Sequence, residues 1–285
     1  MELKRCNMKY ELDRLRAYYR FKNHFSPGSA MLPWIRKRLK NYLQKTSIKE
    51  LVRTESNLLI PVDSAETATS RVQMRGSIDP GMEWIIRRYV KKNTTAVDIG
   101  ANLGLLSLVM ADQAGDDGAV YSIEPNINLH QYIKTLFHLN SLNNINLVSC
   151  ACSDKEGSAR FAIDSSDHTM SMISDSGEYE IKTLPLDIIL NGNNKPVSFI
   201  KIDVEGHEPS VMIGAKNTIL KHKPALVFET GFHPQNDIDG INDILRESRY
   251  DVIGVIKNWG IEKMALTANM TKKKHCNVLA LPKLQ

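Results

Sequence analysis

From residue 79 onward the chain alternates between short continuous apolar runs and longer stretches with helical periodicity. The runs Thr95–Ile99, Ala119–Ile123, Ile145–Cys150, Val197–Ile202, Ala225–Phe228, Tyr250–Val255 and Val278–Leu281 have the length and composition of buried strands. Helical patterns fall near 104–114, 128–141, 208–222 and 240–248. Strands separated by single helices predict an α/β fold: a Rossmann-like, mostly parallel sheet with helices on both faces. Asp79-Pro80 opens an earlier helix through Trp84, Ile85, Ile86, Tyr89 and Val90, with Asp as N-cap and Pro at the first helical position. The rhythm breaks after Cys150, where a tight turn (Asp154 to Gly157) and extra strands with a polar loop fill the chain up to Leu184.

The first 78 residues follow another pattern. Met8, Leu12, Leu15 and Tyr19, then Trp34, Ile35, Leu39, Tyr42 and Leu43, recur at helical spacing around a break at Ser26-Pro27-Gly28. Residues 51–78 alternate over short runs (Leu58 to Val62, then Arg71 to Met74) and predict a small β-hairpin. The expected domains are a helical extension over 1–50, a hairpin linker over 51–78 and an α/β domain over 79–285.

Charge divides along the same line. The net charge of 285 residues is +5, but residues 1–50 carry 13 Lys and Arg against 4 Asp and Glu, so the remainder is acidic. A basic amphipathic extension suits a cap, a lid over a site or a peripheral membrane contact; nucleic acid is not the expected partner. Four cysteines without a C-x-x-C pair argue against a disulfide framework or a structural zinc site. With neither a secretory signal pattern nor a membrane-length apolar run, the chain reads as cytoplasmic.

The most informative segment is Thr95-Ala-Val-Asp-Ile-Gly-Ala-Asn-Leu-Gly104, a strand leading through a glycine turn into a helix. Asp98 precedes the first glycine, and Gly100, Asn102 and Gly104 form the turn. A carboxylate this early opposes a dinucleotide pyrophosphate and favours a cationic, amino-acid-like ligand, for which S-adenosylmethionine is the match. Glu124 ends the second strand, at the spacing of a ribose-binding carboxylate. Ser153 and Asp154 follow the third strand, placed to meet an adenine amino group.

These stretches carry a family resemblance. VDIGANLGLLSL, VYSIEPN, the turn SDKEG, TLPLDIIL, FIKIDVEGHE and LVFE occur in the order found in FkbM-type S-adenosylmethionine-dependent methyltransferases, over roughly Asp79 to Glu229. The resemblance implies a seven-stranded sheet with an antiparallel last strand and methyl transfer to oxygen, commonly on sugars or polyketide-like metabolites. A small-molecule or glycan acceptor is the partner so implied. Pro185 interrupts the usual threonine-leucine-aspartate-aspartate form, leaving Asp187 as the nearest acid.

The segment Ile200 to Glu208 sets Asp203, Glu205, His207 and Glu208 at the carboxyl end of the fourth strand, where open α/β sheets place their chemistry. Methyl transfer to a hydroxyl needs alignment and a proton acceptor. Asp203 is placed to face both cofactor and acceptor, His207 to act as the base, and Glu205 to orient it or bind substrate. Glu208 is expected to cap the next helix. Glu229, ending the fifth strand, lies on the same rim, and Asp203 with Glu229 would suit Mg²⁺ bound to a substrate diol. Acceptor choice is expected in the loops 164–178 and 230–239. Two other readings compete: an NAD(P)-dependent oxidoreductase, disfavoured by the missing G-x-G-x-x-G, and a non-catalytic binding protein that keeps the fold.

Overall fold

A computed structural model describes residues 49–163, 171–230, 235–258, 260–263 and 275–283. The basic extension and parts of both expected specificity loops lie outside them. The chain divides into two compact units, residues 1–80 and 81–285.

In the first unit, strands β1 (Lys49–Arg53) and β2 (Leu59–Asp63) form an antiparallel hairpin, with Lys49 opposite Asp63. Asn57 takes the left-handed backbone its tight turn requires, at φ 66°. Arg71 to Met74, expected as a strand, is instead part of helix α1 (Thr67–Arg75). The ends of this helix explain the difference. Glu66 accepts from the backbone N–H groups of Ala68 and Thr69 as N-cap, and Gly76 closes the helix in the left-handed region at φ 72°.

The second unit starts one residue into α2 (Pro80–Tyr89), which has the expected proline at its first position. There follow β3 (Thr95–Ile99), α3 (Leu105–Ala114), β4 (Ala119–Ile123), α4 (Ile127–Leu139), β5 (Ile145–Val148), β6 (Ala151–Cys152), β7 (Gly157–Ala162), β8 (Met172–Ile173) and β9 (Tyr179–Leu184). The chain continues through α5 (Leu186–Ile189), β10 (Val197–Ile202), α6 (Glu208–Gly214), α7 (Lys216–His222), β11 (Ala225–Thr230), α8 (Gln235–Glu247), β12 (Tyr250–Lys257), β13 (Gly260–Glu262) and β14 (Cys276–Pro282).

The main sheet has eight strands in the order β13-β12-β14-β11-β10-β3-β4-β5. β11, β10, β3, β4 and β5 run parallel, and β14 is antiparallel to both of its neighbours, β11 and β12. The eighth strand, beyond the seven expected, is β13, which folds back on the end of β12 as a short hairpin. The excursion after Cys150 forms a separate four-stranded sheet, β6-β9-β7-β8.

Every residue of β3 is buried, and so are Phe199, Ile200 and Ile202 of β10 and Leu226 to Phe228 of β11. Strands covered on both faces read as unbroken apolar runs, so the bounds of β3 and β10 were clear in the sequence, whereas β11 runs on through Glu229 to Thr230, two residues past the apolar run. Cys150 and Cys152 are buried free thiols, and burial raises both pKa values, that of Cys150 to about 11. Among the described residues no helix is long and apolar enough to cross a membrane.

Candidate active site

The strand order reverses between β3 and β10, and the turns leaving the carboxyl ends of these two strands meet. Gly100, at φ 73°, lies so close to the Asp203 carbonyl that any Cβ would collide with it. Asp203 N donates to Ile99 O at 3.1 Å, and Gly100 N donates to Ile123 O at 3.0 Å, tying three strand ends together. Asn102 and Gly104 are also left-handed, at φ 50° and 70°. The turn therefore has the backbone that its Gly-x-Asn-x-Gly sequence predicts.

Beneath the turn lies a charged group with no sequence signal beyond a lysine in an apolar strand. Lys201 of β10 is buried, and its Nζ lies 3.1 Å from Asp98 Oδ1 and 3.3 Å from Asp203 Oδ2. It also donates to Gly100 O at 3.1 Å. Burial works against the ammonium, but Asp203 and Asp98 outweigh it, and the Lys201 pKa is raised. Asp98 Oδ2 accepts from Ser107 Oγ at 2.6 Å, and Ser107 in turn contacts Ser122 Oγ at 2.9 Å.

Glu124, at the end of β4, accepts from Asn102 N at 2.7 Å and from Asn126 N at 2.8 Å. Burial raises its pKa despite those two bonds. Each oxygen retains a lone pair for a further donor. Beside it, Asn102 Oδ1 and Asn126 Nδ2 are buried without hydrogen-bond partners. Unpartnered polar atoms flanking a buried carboxylate are a lining that a polyhydroxylated ligand would complete.

Ser153 and Asp154 come together with His207. Ser153 Oγ donates to Asp154 Oδ1 at 3.0 Å and lies 2.9 Å from His207 Nε2. Because the serine proton is used on Asp154, Nε2 of His207 is the donor in the second contact, and the lone pair of the ring sits on Nδ1. Burial lowers the His207 pKa, which favours the neutral ring. Gly214 of α6 packs against the Ser153 carbonyl so closely that a Cβ would clash, which fixes this loop against the helix.

Glu208 turns back on its own loop, accepting from Val204 N at 2.9 Å and Gly206 N at 3.1 Å. Glu208 therefore closes the loop that precedes α6 and does not cap the helix as expected, since the helix N-cap position, His207, makes no side-chain capping bond. Asp187 likewise serves the fold, accepting from Asn217 N at 3.0 Å and Thr218 N at 2.8 Å and so capping α7.

Glu205 and Glu229 converge on a third group that sequence reading missed. His275 Nδ1 lies 3.2 Å from Glu229 Oε2 and 4.0 Å from Glu205 Oε2. The imidazole stands 46 positions after Glu229 and is delivered by the β11–β14 ladder, in which Thr230 opposes Cys276. Burial, then Asp203 and Glu205, push Glu229 up to about 9; burial and Asp203 also raise Glu205.

The carboxyl edge of the sheet thus gathers Asp98, Glu124, Asp203, Glu205 and Glu229 around the buried Lys201 ammonium. Such a rim attracts a cation and repels a pyrophosphate. A mostly parallel α/β sheet with β14 and the short β13 reversed, a glycine turn after an acid-ended first strand and an acid on the second together define a methyltransferase-like fold. The sequence matches the Methyltransferase FkbM domain over residues 98–252, and the chain belongs to that family.

Solved structures similar to it include a methyltransferase FkbM from Methylobacillus flagellatus KT, 18% identical, with 73% of this chain and 52% of that chain covered and a TM-score of 0.45. A SAM-dependent methyltransferase from Aquifex aeolicus is 15% identical, with 71% and 89% covered and a TM-score of 0.39. A Streptococcus mutans methyltransferase in complex with SAH is 10% identical, with 70% and 94% covered and a TM-score of 0.43. This chain therefore spans about half the length of the Methylobacillus protein. No curated protein sequence matches it.

Proposed function

We propose that the protein transfers a methyl group from S-adenosylmethionine to a hydroxyl of a sugar, glycan or other small metabolite. The observation that carries this reading is the acidic, partly unsatisfied lining at the carboxyl ends of β3, β4, β10 and β11. Asn102 Oδ1 and Asn126 Nδ2, buried and unpartnered beside Glu124, fit a bound nucleoside. S-adenosylmethionine supplies an electrophilic methyl on a cationic sulfur. The turn of Gly100, Asn102 and Gly104 holds its amino-acid end, Glu124 its ribose hydroxyls, and Ser153 with Asp154 its adenine; Asp98, expected as a direct ligand, is instead buried behind the turn on Lys201 and Ser107. Asp203, on the opposite turn, faces the cationic centre.

The acceptor hydroxyl then lies along the Asp203, Glu205 and Glu229 rim. His207 takes the hydroxyl proton on Nδ1, the atom left with a lone pair by its bond to Ser153. As the proton leaves, the oxygen forms its bond to the methyl carbon, and the carbon–sulfur electron pair stays on sulfur. The residues contribute alignment and proton transfer. Incubation with methyl-labelled S-adenosylmethionine and pools of glycans or small metabolites tests this reading. Label on an oxygen of an acceptor is expected; label confined to nitrogen or carbon of the products would refute the hydroxyl assignment.

A further inference from the structure

The geometry points to a divalent-cation site made by Glu205, Glu229 and His275, with open positions for oxygens of the acceptor. The three side chains come from different segments: the turn after β10, the end of β11 and the residue before β14. Their ligand atoms all lie within 4.8 Å of one another. Donors bound at about 2.1 Å to one ion sit about 3 Å apart when adjacent and about 4.2 Å apart when opposite. The separations of 3.2 Å (His275 to Glu229) and 4.0 Å (His275 to Glu205) fall within that span.

Charge favours the same conclusion. The side chains of Glu205 and Glu229 are 18% and 15% exposed, so water screens them poorly. Asp203, expected from the sequence as a Mg²⁺ ligand with Glu229, turns its Oδ2 to Lys201, and the ligand atoms that converge with Glu229 are those of Glu205 and His275. A further donor is at hand. Asn277 opposes Glu229 across the ladder, which puts both on one face of the sheet, and its buried Oδ1 has no hydrogen-bond partner. An oxygen-rich set with one imidazole selects a first-row divalent ion such as Mn²⁺ over Ca²⁺.

Three protein ligands leave coordination positions open, as sites that act on a bound oxygen do. Taken with the methyl-transfer reading, on which this part of the inference rests, the ion binds the acceptor hydroxyl, or a vicinal diol. It lowers the hydroxyl pKa so that the proton passes more readily to His207.

The test uses the full chain after chelator treatment, titrated with Mn²⁺ alone and followed by calorimetry and by the electron paramagnetic resonance of the ion. One Mn²⁺ per chain is expected. His275→Ala and Glu229→Gln should each weaken binding by at least about tenfold, the size of loss that even outer-shell changes produce. His275 is partly exposed, so His275→Ala keeps the test open if Glu229→Gln fails to fold. No saturable Mn²⁺ binding, or binding unchanged in His275→Ala, would overturn the site. S-adenosylhomocysteine binding, measured on the same samples, separates the two claims. Cofactor binding without Mn²⁺ binding overturns the cation site alone, whereas Mn²⁺ binding lost in His275→Ala without any cofactor binding supports the site and overturns the methyl-transfer reading.

Discussion

Replacing Lys201 with Met removes the one ammonium that spans both turns of the site while keeping the volume of the side chain. In the wild type that ammonium sits 3.1 Å from Asp98 and 3.3 Å from Asp203 and holds the Gly100 carbonyl at 3.1 Å. Removing one partner of a buried charge pair costs about 3–5 kcal/mol, because the remaining charge is uncompensated. Asp98 is fully buried, but the Asp203 side chain is 30% exposed, so its share is screened and the lower end, about 3 kcal/mol, applies. In a unit of this size each kcal/mol shifts the melting temperature by about 2–4 °C, so Lys201→Met should melt roughly 6–12 °C lower.

Differential scanning calorimetry of Lys201→Met, Asp98→Asn and the double variant gives the cycle. The double variant should be less destabilised than the sum of the singles by about 1–3 kcal/mol, since it leaves no unpaired charge at Asp98. Strict additivity, or a Lys201→Met melting temperature within about 2 °C of wild type, would refute the argument that this lysine organises the two turns.

Other expected outcomes follow from the same contacts. Glu124→Ala removes the acceptor of the Asn102 and Asn126 N–H bonds as well as the proposed ribose contact, and should weaken S-adenosylmethionine binding by about 2 kcal/mol, roughly 30-fold by calorimetry. The pKa of His207 is lowered, so the acid limb of turnover should lie below its ordinary value of about 6.5, with rate rising as the base loses its proton; His207→Ala should abolish that limb and spare cofactor affinity. Glu229 has a folded pKa of about 9, far above its unfolded value, so the stability it contributes is present at acid pH and lost as pH rises toward 9. In chelator-treated protein Glu229→Gln should flatten that alkaline decline in denaturant midpoints. Asp187→Ala should cost about 1 kcal/mol through its lost cap, with cofactor affinity unchanged.

How much of this was legible in the sequence differed from residue to residue, for physical reasons. The ends of β3, β4 and β10 coincide with their apolar runs because a parallel strand covered on both faces has no polar alternation to blur it. Asp98, Glu124 and the left-handed Asn102 stood out because glycine spacing and an acid at a strand end are local signals. Helix α1 was misread because a four-residue run cannot separate alternation from helical period; its Glu66 and Gly76 caps were the better guide. Lys201 was visible only as a charge inside an apolar strand, and its partners arise from the close approach of two turns. His275 follows no motif, and an antiparallel strand far along the chain brings it to Glu229. Long-range pairing of that kind leaves no local trace. The role of His207 depends on a ring nitrogen that only the Ser153 contact identifies.

The central claim, that the acidic turn between β3 and β10 takes a cationic nucleoside, is tested most directly by calorimetric titration of the wild-type chain with S-adenosylmethionine and, separately, with NAD. The account predicts one S-adenosylmethionine per chain, weakened in Glu124→Ala, and no detectable heat from NAD. Saturable NAD binding with none of S-adenosylmethionine would contradict it.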